Sequence, residues 1–202
     1  MADVISKDLK PPEPEARRAA FRATHDRTTD TGGADTLVPL VELLFFAYRD
    51  FTGEADAALA ELGLGRAHHR VLHFVDRNPG LRVADLLEIL KITKQSLARV
   101  LKQLLDDGFV RQRAGAEDRR ERQLTTTGKG QRLAHRLLEL QTARVAEALG
   151  AAGPEHMAAV RAFLFAMIAD GERARAQALL TGGPAALPGA GLAPAIRSRR
   201  PR

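Results

Sequence analysis

Cysteine and tryptophan are absent from this 202-residue chain, and tyrosine occurs once. Without cysteine there are no disulfides, no thiolate metal sites and no cysteine-based redox sensor. Aromatic residues make up 4% of the sequence, so a core has to be built from Leu, Val, Ala and Ile. No apolar run approaches the ~20 residues that span a bilayer. Residues 1–27 carry charges and Pro11, Pro12 and Pro14 where a signal peptide has an apolar stretch. The expectation is a cytoplasmic protein that does not associate with membranes. Enzyme signatures are missing as well: no Gly-x-Ser-x-Gly elbow, no His-Glu-x-x-His, no phosphate-binding loop and no dinucleotide fingerprint. A protein that is not an enzyme and takes no cofactor is the expectation.

What is present is ordinary for a globular domain with tails: 45% apolar and 28% charged residues. The net charge of +6 favours a polyanionic partner, nucleic acid or an acidic membrane face, without implying specificity. Residues 1–34 are punctuated by proline and glycine and read as a flexible arm. Residues 181–202 are rich in Gly, Pro and Ala, and end in Arg197, Arg199, Arg200 and Arg202. They read as a disordered basic tail, more often a solubilising end than a phosphate contact.

Between the tails the periodicity predicts a mainly α fold with one small β-hairpin. Helices are expected over 37–50, 54–62, 66–77, 83–90, 94–107, 131–149 and 155–180, and strands over 109–113 and 122–126. Only Lys91-Ile92-Thr93 separates the fourth and fifth helices, which gives a helix-turn-helix. Leu97, Val100, Leu101, Leu104 and Leu105 would hold the fifth helix to the domain. Its other face carries Lys94, Gln95, Ser96, Arg99 and Lys102, with Thr93 as N-cap. Gln pairs bidentately with adenine and Arg or Lys with guanine, while Ser and Lys can fix phosphates. Alone, this is an ordinary amphipathic helix with a solvated face. The hairpin that follows changes the balance. Arg111, Arg113, Arg119, Arg120 and Arg122 cluster on it, which suits a wing placed in a minor groove. Asp118 reads either as the partner that orients an arginine or as a turn former.

The stretch 118–130 resembles the wing motif of the MarR family: Asp-x-Arg, five residues, Leu-Thr, two residues, Gly. Asp118, Arg120, Thr127 and Gly130 fall on it without a gap, whereas Thr126 stands where the pattern has Leu. The words around His68-His69-Arg70-Val71-Leu72-His73-Phe74 are similar to a PetP-like branch of that family. The resemblance implies a winged helix-turn-helix at about 66–130 within a domain spanning 35–180, with dimerisation helices at 35–50 and 131–180. It implies a homodimer on pseudopalindromic double-stranded promoter DNA, acting as a transcriptional regulator, most often a repressor. It also implies release by a small aromatic or lipophilic effector in a pocket for which Phe45, His69 and His73 are the candidate lining.

Three other readings compete. A non-specific architectural DNA binder would use the basic tails without reading an operator. The 155–180 helix, with its Met and Phe stripe, could dock on a membrane or a protein, although such stripes are more often core. His69 and His73 lie four apart on one helix face and could hold a metal, but no carboxylate is near them in sequence, so no metal is expected.

Overall fold

A computed structural model describes residues 34–115 and 121–181. The expected arm and basic tail therefore fall almost wholly outside the described residues, as do Asp118, Arg119 and Arg120. The fold is mainly helical with a small antiparallel sheet. Its elements are α1 (Ala34–Ala60), α2 (Arg66–Arg77), β1 (Leu81–Arg82), α3 (Val83–Leu90), α4 (Lys94–Asp106), β2 (Val110–Ala114), β3 (Arg122–Thr126) and α5 (Gly128–Ala152). A 3-10 turn at Pro154–His156, then α6 (Met157–Ala166) and α7 (Asp170–Thr181), complete it.

Two expectations are corrected. The helices expected at 37–50 and 54–62 are one helix, α1, running through Gly53. A helical glycine costs only about 1 kcal/mol relative to alanine. Just beyond it Ala55, Ala58 and Leu59 are buried at helical spacing. The buried Thr52 hydroxyl also donates back to the carbonyls of Tyr48 (3.0 Å) and Arg49 (3.2 Å), so it is satisfied within the helix. Because α1 begins at Ala34, Pro39 lies inside it. The long helix expected at 155–180 is instead broken between Ala166 and Asp170. Arg173 donates to the exposed carbonyl of Ala166 (2.7 Å) and pairs with Asp170 (2.6 Å), closing one helix end and opening the next.

The chain falls into two units, 1–47 and 48–202, divided within α1. The described part of the first is helical, and Val38, Leu40, Val41, Leu43, Phe45 and Phe46 are all exposed on it. The second unit holds the core. Leu59, Leu72, Val75, Leu81, Leu86, Leu97, Leu104, Leu124 and Leu137 are fully buried, and Phe109 is the one aromatic ring among the buried core residues described. A leucine-rich interior is what the scarcity of aromatics requires. Helix α2 lies at its centre, packed on α3, α4, α5 and β3.

The sheet has the order β1-β3-β2, all antiparallel. The two-residue β1 was not expected; it pairs Leu81 with Leu124 and Arg82 with Gln123. Along β3, Leu124 and Thr126 point into the core, while four of the five residues of the edge strand β2 are exposed. A charged edge of this kind resists pairing with other chains.

The junction between β3 and α5 explains the end of the sequence motif. Thr127 caps α5, accepting from the Gly130 N–H (3.1 Å). Its own hydroxyl donates to the Gly108 carbonyl (2.6 Å), and its N–H donates to the Phe109 carbonyl (3.0 Å). A Cβ at position 130 would lie 2.0 Å from the Phe109 oxygen, so only glycine lets α5 come this close to the α4–β2 turn. Thr126, the departure from the motif, is buried, and its hydroxyl donates to Asp76 Oδ1 (2.9 Å). A hydrogen bond to α2 takes the place of the apolar contact a leucine would make.

Candidate nucleic-acid interface

Helix α4 sorts its residues by the 3.6-residue period. Leu97, Val100, Leu101 and Leu104 are buried. Lys94, Gln95, Arg99 and Lys102 are exposed, and Ser96 is half-buried. Thr93 is extended, and its hydroxyl accepts from the Ser96 N–H (3.1 Å) while donating to the Ser96 hydroxyl (2.9 Å). The cap satisfies the third helical N–H and leaves those of Lys94 and Gln95 at the positive end of the helix dipole. The turn before it is tight because Lys91 adopts the left-handed conformation (φ 51°), an arrangement that non-glycine residues seldom take. Lys102 is ion-paired with Asp106 one turn on, which raises the pKa of its ammonium. Among the α4 cations it is the one engaged in advance.

Among the described residues, the hairpin's arginines do not share one face. Strand alternation places Arg111 and Arg113 on the outer face, opposite Thr125 and Gln123, and the Arg111 Nε donates to the Thr125 hydroxyl (3.0 Å). Gln112 and Arg122 lie on the other face. There they border a groove of about 450 Å³ against α3 and α4, floored by Leu87, Leu97 and Leu101 and edged by Lys94 and Lys102. Arg122 thus belongs with the α4 cations, and Arg111 and Arg113 form a separate outer row. The groove was not foreseen; the small, exposed Ala98 also lines it.

A second cavity, of about 280 Å³, lies between the C-terminal half of α1, α2 and α5. His69 and His73 line it, together with Tyr48, Phe51, Thr52, Arg66, Arg70, Phe74 and Gln141. Phe45 lies in the other unit and is 70% exposed. The arginines were missed at the sequence level, yet 66, 69, 70 and 73 follow helical spacing and share one face of α2. Burial pushes both imidazoles below the ordinary histidine value. His73 lowers His69 further, and Arg77 does the same to His73. Arg66 is held by Asp56 (2.5 Å) and stacks over Tyr48 at 5.5 Å; Arg70 reaches the Leu90 carbonyl (3.2 Å). The third histidine, His68, is turned to the start of α2, where its Nδ1 accepts from the Gly65 N–H (3.0 Å). Among the described residues no group of three or more potential metal ligands forms, and no helix is long and apolar enough to cross a membrane.

Residues 62–121 match the model of the MarR family. The HTH-type transcriptional regulator PetP of Rhodobacter capsulatus is 46% identical over 160 residues, which cover 74% of this chain and 96% of PetP. The HTH-type transcriptional repressor Rv2887 of Mycobacterium tuberculosis is 34% identical over 98 residues, 48% of this chain and 70% of that protein. Among solved structures, MarR aligns with a TM-score of 0.55 at 20% identity, covering 75% of this chain and 99% of MarR. A putative MarR family regulator from Listeria monocytogenes, solved with 26mer DNA, aligns with a TM-score of 0.57 at 19% identity, covering 71% and 95%. The structural likenesses speak for the fold, and the near-complete span of PetP at 46% identity decides the rest: the chain belongs to the MarR family of transcriptional regulators.

Proposed function

We propose that the protein is a homodimeric repressor that reads a pseudopalindromic operator in the cytoplasm, one α4 helix in each of two successive major grooves. The observation that carries this is the α4 surface. Lys94 and Gln95 project from a capped N-terminal turn and Arg99 from the turn after it, with the arginine-bearing hairpin following in the chain. Gln95 and Arg99 supply base readout; Lys94 and Arg122 hold phosphates; Arg111 and Arg113 follow the backbone into the flanking minor groove. The Listeria relative solved with DNA supports this use of the fold.

Dimerisation is supported by apolar side chains left uncovered. Phe45 and Phe46 in the first unit, and Met157, Phe163, Leu164 and Met167 around α6, are each about half exposed or more. Such surfaces mark interfaces when they are contiguous. A two-fold dimer would cover both and set the spacing of its reading helices at about 34 Å. Each α2–α5 cavity would take a small lipophilic anion, with Tyr48, Phe51 and Phe74 for its ring and Arg66 and Arg70 for its charge. A ligand that favours one spacing of the lobes shifts the population away from the DNA-competent one.

Selection of bound fragments from genomic DNA, followed by titration of the winning duplex against random DNA, tests the reading. A regulator keeps a preference of roughly 10³-fold or more over random DNA, and the selected site should be a palindrome. Gln95→Ala should relax the preference at one base position, at a cost of about 1–3 kcal/mol. Equal affinity for all duplexes, falling with salt, would show an architectural binder instead.

A further inference from the structure

Glu121 is one of three acids, with Glu117 and Asp118, among the arginines of the hairpin. It stands at the neck, where its carbonyl accepts from the Gly115 N–H (3.0 Å) and closes the two strands. Its carboxylate is not turned to solvent cations but to Arg82, whose Nη1 lies 3.0 Å from Oε1. Arg82 belongs to a different part of the chain: it ends β1 and precedes the first turn of α3. There its Nε and Nη2 clasp both oxygens of Asp85, each at 2.7 Å. The guanidinium thus spends three N–H groups on two carboxylates, in the fork geometry that arginine alone provides. The Arg82 and Asp85 side chains are 24% and 16% exposed and Glu121 is 37% exposed, so the clasp is largely buried with Glu121 at its outer end. Both partners hold Arg82 firmly charged, Asp85 more strongly than Glu121.

We propose that Arg82 and Glu121 are positioning residues for DNA binding: the Asp85–Arg82–Glu121 bridge fixes the angle between the hairpin neck and the helix-turn-helix. Neither residue touches DNA. The bridge matters because β1 adds only two ladder residues to the sheet, and the outer strand β2 lies mostly exposed. Past the core pair Leu81–Leu124, only the ladder pair Arg82–Gln123 joins β1 to the hairpin. Arg82 is paired with Gln123 on the ladder and reaches two residues further, to Glu121. That added reach sets where Arg113 and Arg122 stand relative to Lys94 and Gln95. The inference rests on the reading of the hairpin as a DNA-contacting wing.

Glu121→Gln tests it by sign. Taking a negative charge away from a DNA-facing surface tightens binding if charge alone matters. If the bridge positions the hairpin, the same change weakens binding by at least about threefold. The measurement is a titration with one duplex recovered by selection from random sequence, at fixed salt, alongside the thermal midpoint of the free protein. The Arg82–Asp85 clasp survives in this variant, so the midpoint should hold. Hydroxyl-radical footprints should lose protection at the outer edges of the site and keep it at the centre. In an Arg82→Met background the bridge is already gone, and Glu121→Gln should then tighten binding. Should Arg82→Met fail to fold, the sign for Glu121→Gln alone decides. Tighter or unchanged binding by Glu121→Gln in the otherwise unaltered protein overturns the proposal. Arg113→Ala and Arg122→Ala separate the two failures: if neither alters affinity, the wing reading itself falls.

Discussion

Two glycines in the first turn of α5 should respond to the same substitution with opposite signs. At Gly130 an added Cβ lies 2.0 Å from the Phe109 oxygen and 2.9 Å from its carbonyl carbon. The obstacle is backbone, so no rotamer relieves it, and the helix must withdraw by more than an ångström. That withdrawal breaks the Thr127 N–H bond to Phe109 and the Thr127 hydroxyl bond to Gly108, worth about 1 kcal/mol each. Overpacking strain adds about 1–3 kcal/mol, and the gain in helix propensity returns about 1 kcal/mol. Gly130→Ala should therefore destabilise the protein by about 2–4 kcal/mol. At Gly128 the Cβ meets only the Arg132 Nη1, at 3.6 Å. Gly128→Ala should be neutral or stabilising by up to about 1 kcal/mol through the unfolded chain. Urea midpoints at one fixed protomer concentration, with m-values compared, give both numbers. Equal midpoints for the two variants would refute the claim that contact with the α4–β2 turn is what requires glycine at 130.

Thr126→Val keeps the shape of the buried side chain but strips Asp76 of its hydrogen-bond donor. It should lower stability by about 1–2 kcal/mol, and an unchanged urea midpoint would mean the bond contributes nothing. The cavity histidines predict a pH dependence. Burial depresses the pKa of His69 and His73 in the folded state, so the unfolded chain binds protons first as pH drops below ~6.5. Stability should be full above that pH and decline as acid carries the solution toward the folded values. A His69→Gln, His73→Gln double variant should flatten the decline in denaturation midpoints between pH 7 and 5, and an identical slope would exclude these two groups. Phe163, 49% exposed on α6, should support the dimer: Phe163→Glu should shift sedimentation toward monomer at micromolar concentration, and an unaltered dimer would place the interface elsewhere.

The helix-turn-helix was legible because its information is local. The spacing of Leu97, Val100, Leu101 and Leu104, the capping Thr93 and the three-residue turn all act within a few residues of one another. Local rules misread α1 and the segment after α5. Gly53 looks like a stop only until the buried face of Ala55 and Leu59 is known. The run 155–180 looks continuous only until Arg173 turns back on Ala166. The two-residue β1 carries no period at all and exists through its pairing with β3.

By itself, the sequence determined the class of the protein. The polar-faced helix and arginine hairpin pointed to a DNA reader, and the resemblance of 118–130 to the MarR wing motif made it specific. The tertiary structure decided how the hairpin is used. Strand alternation split its arginines between an outer row and the groove beside α4. Glu121, unremarked in the sequence, met Arg82 across 39 residues of chain. Thr126, a departure from the motif, became a buried bond to Asp76. Each of these depends on which backbone lies opposite which. That is fixed by register and packing between distant segments, and spacing along one strand or one helix does not carry it.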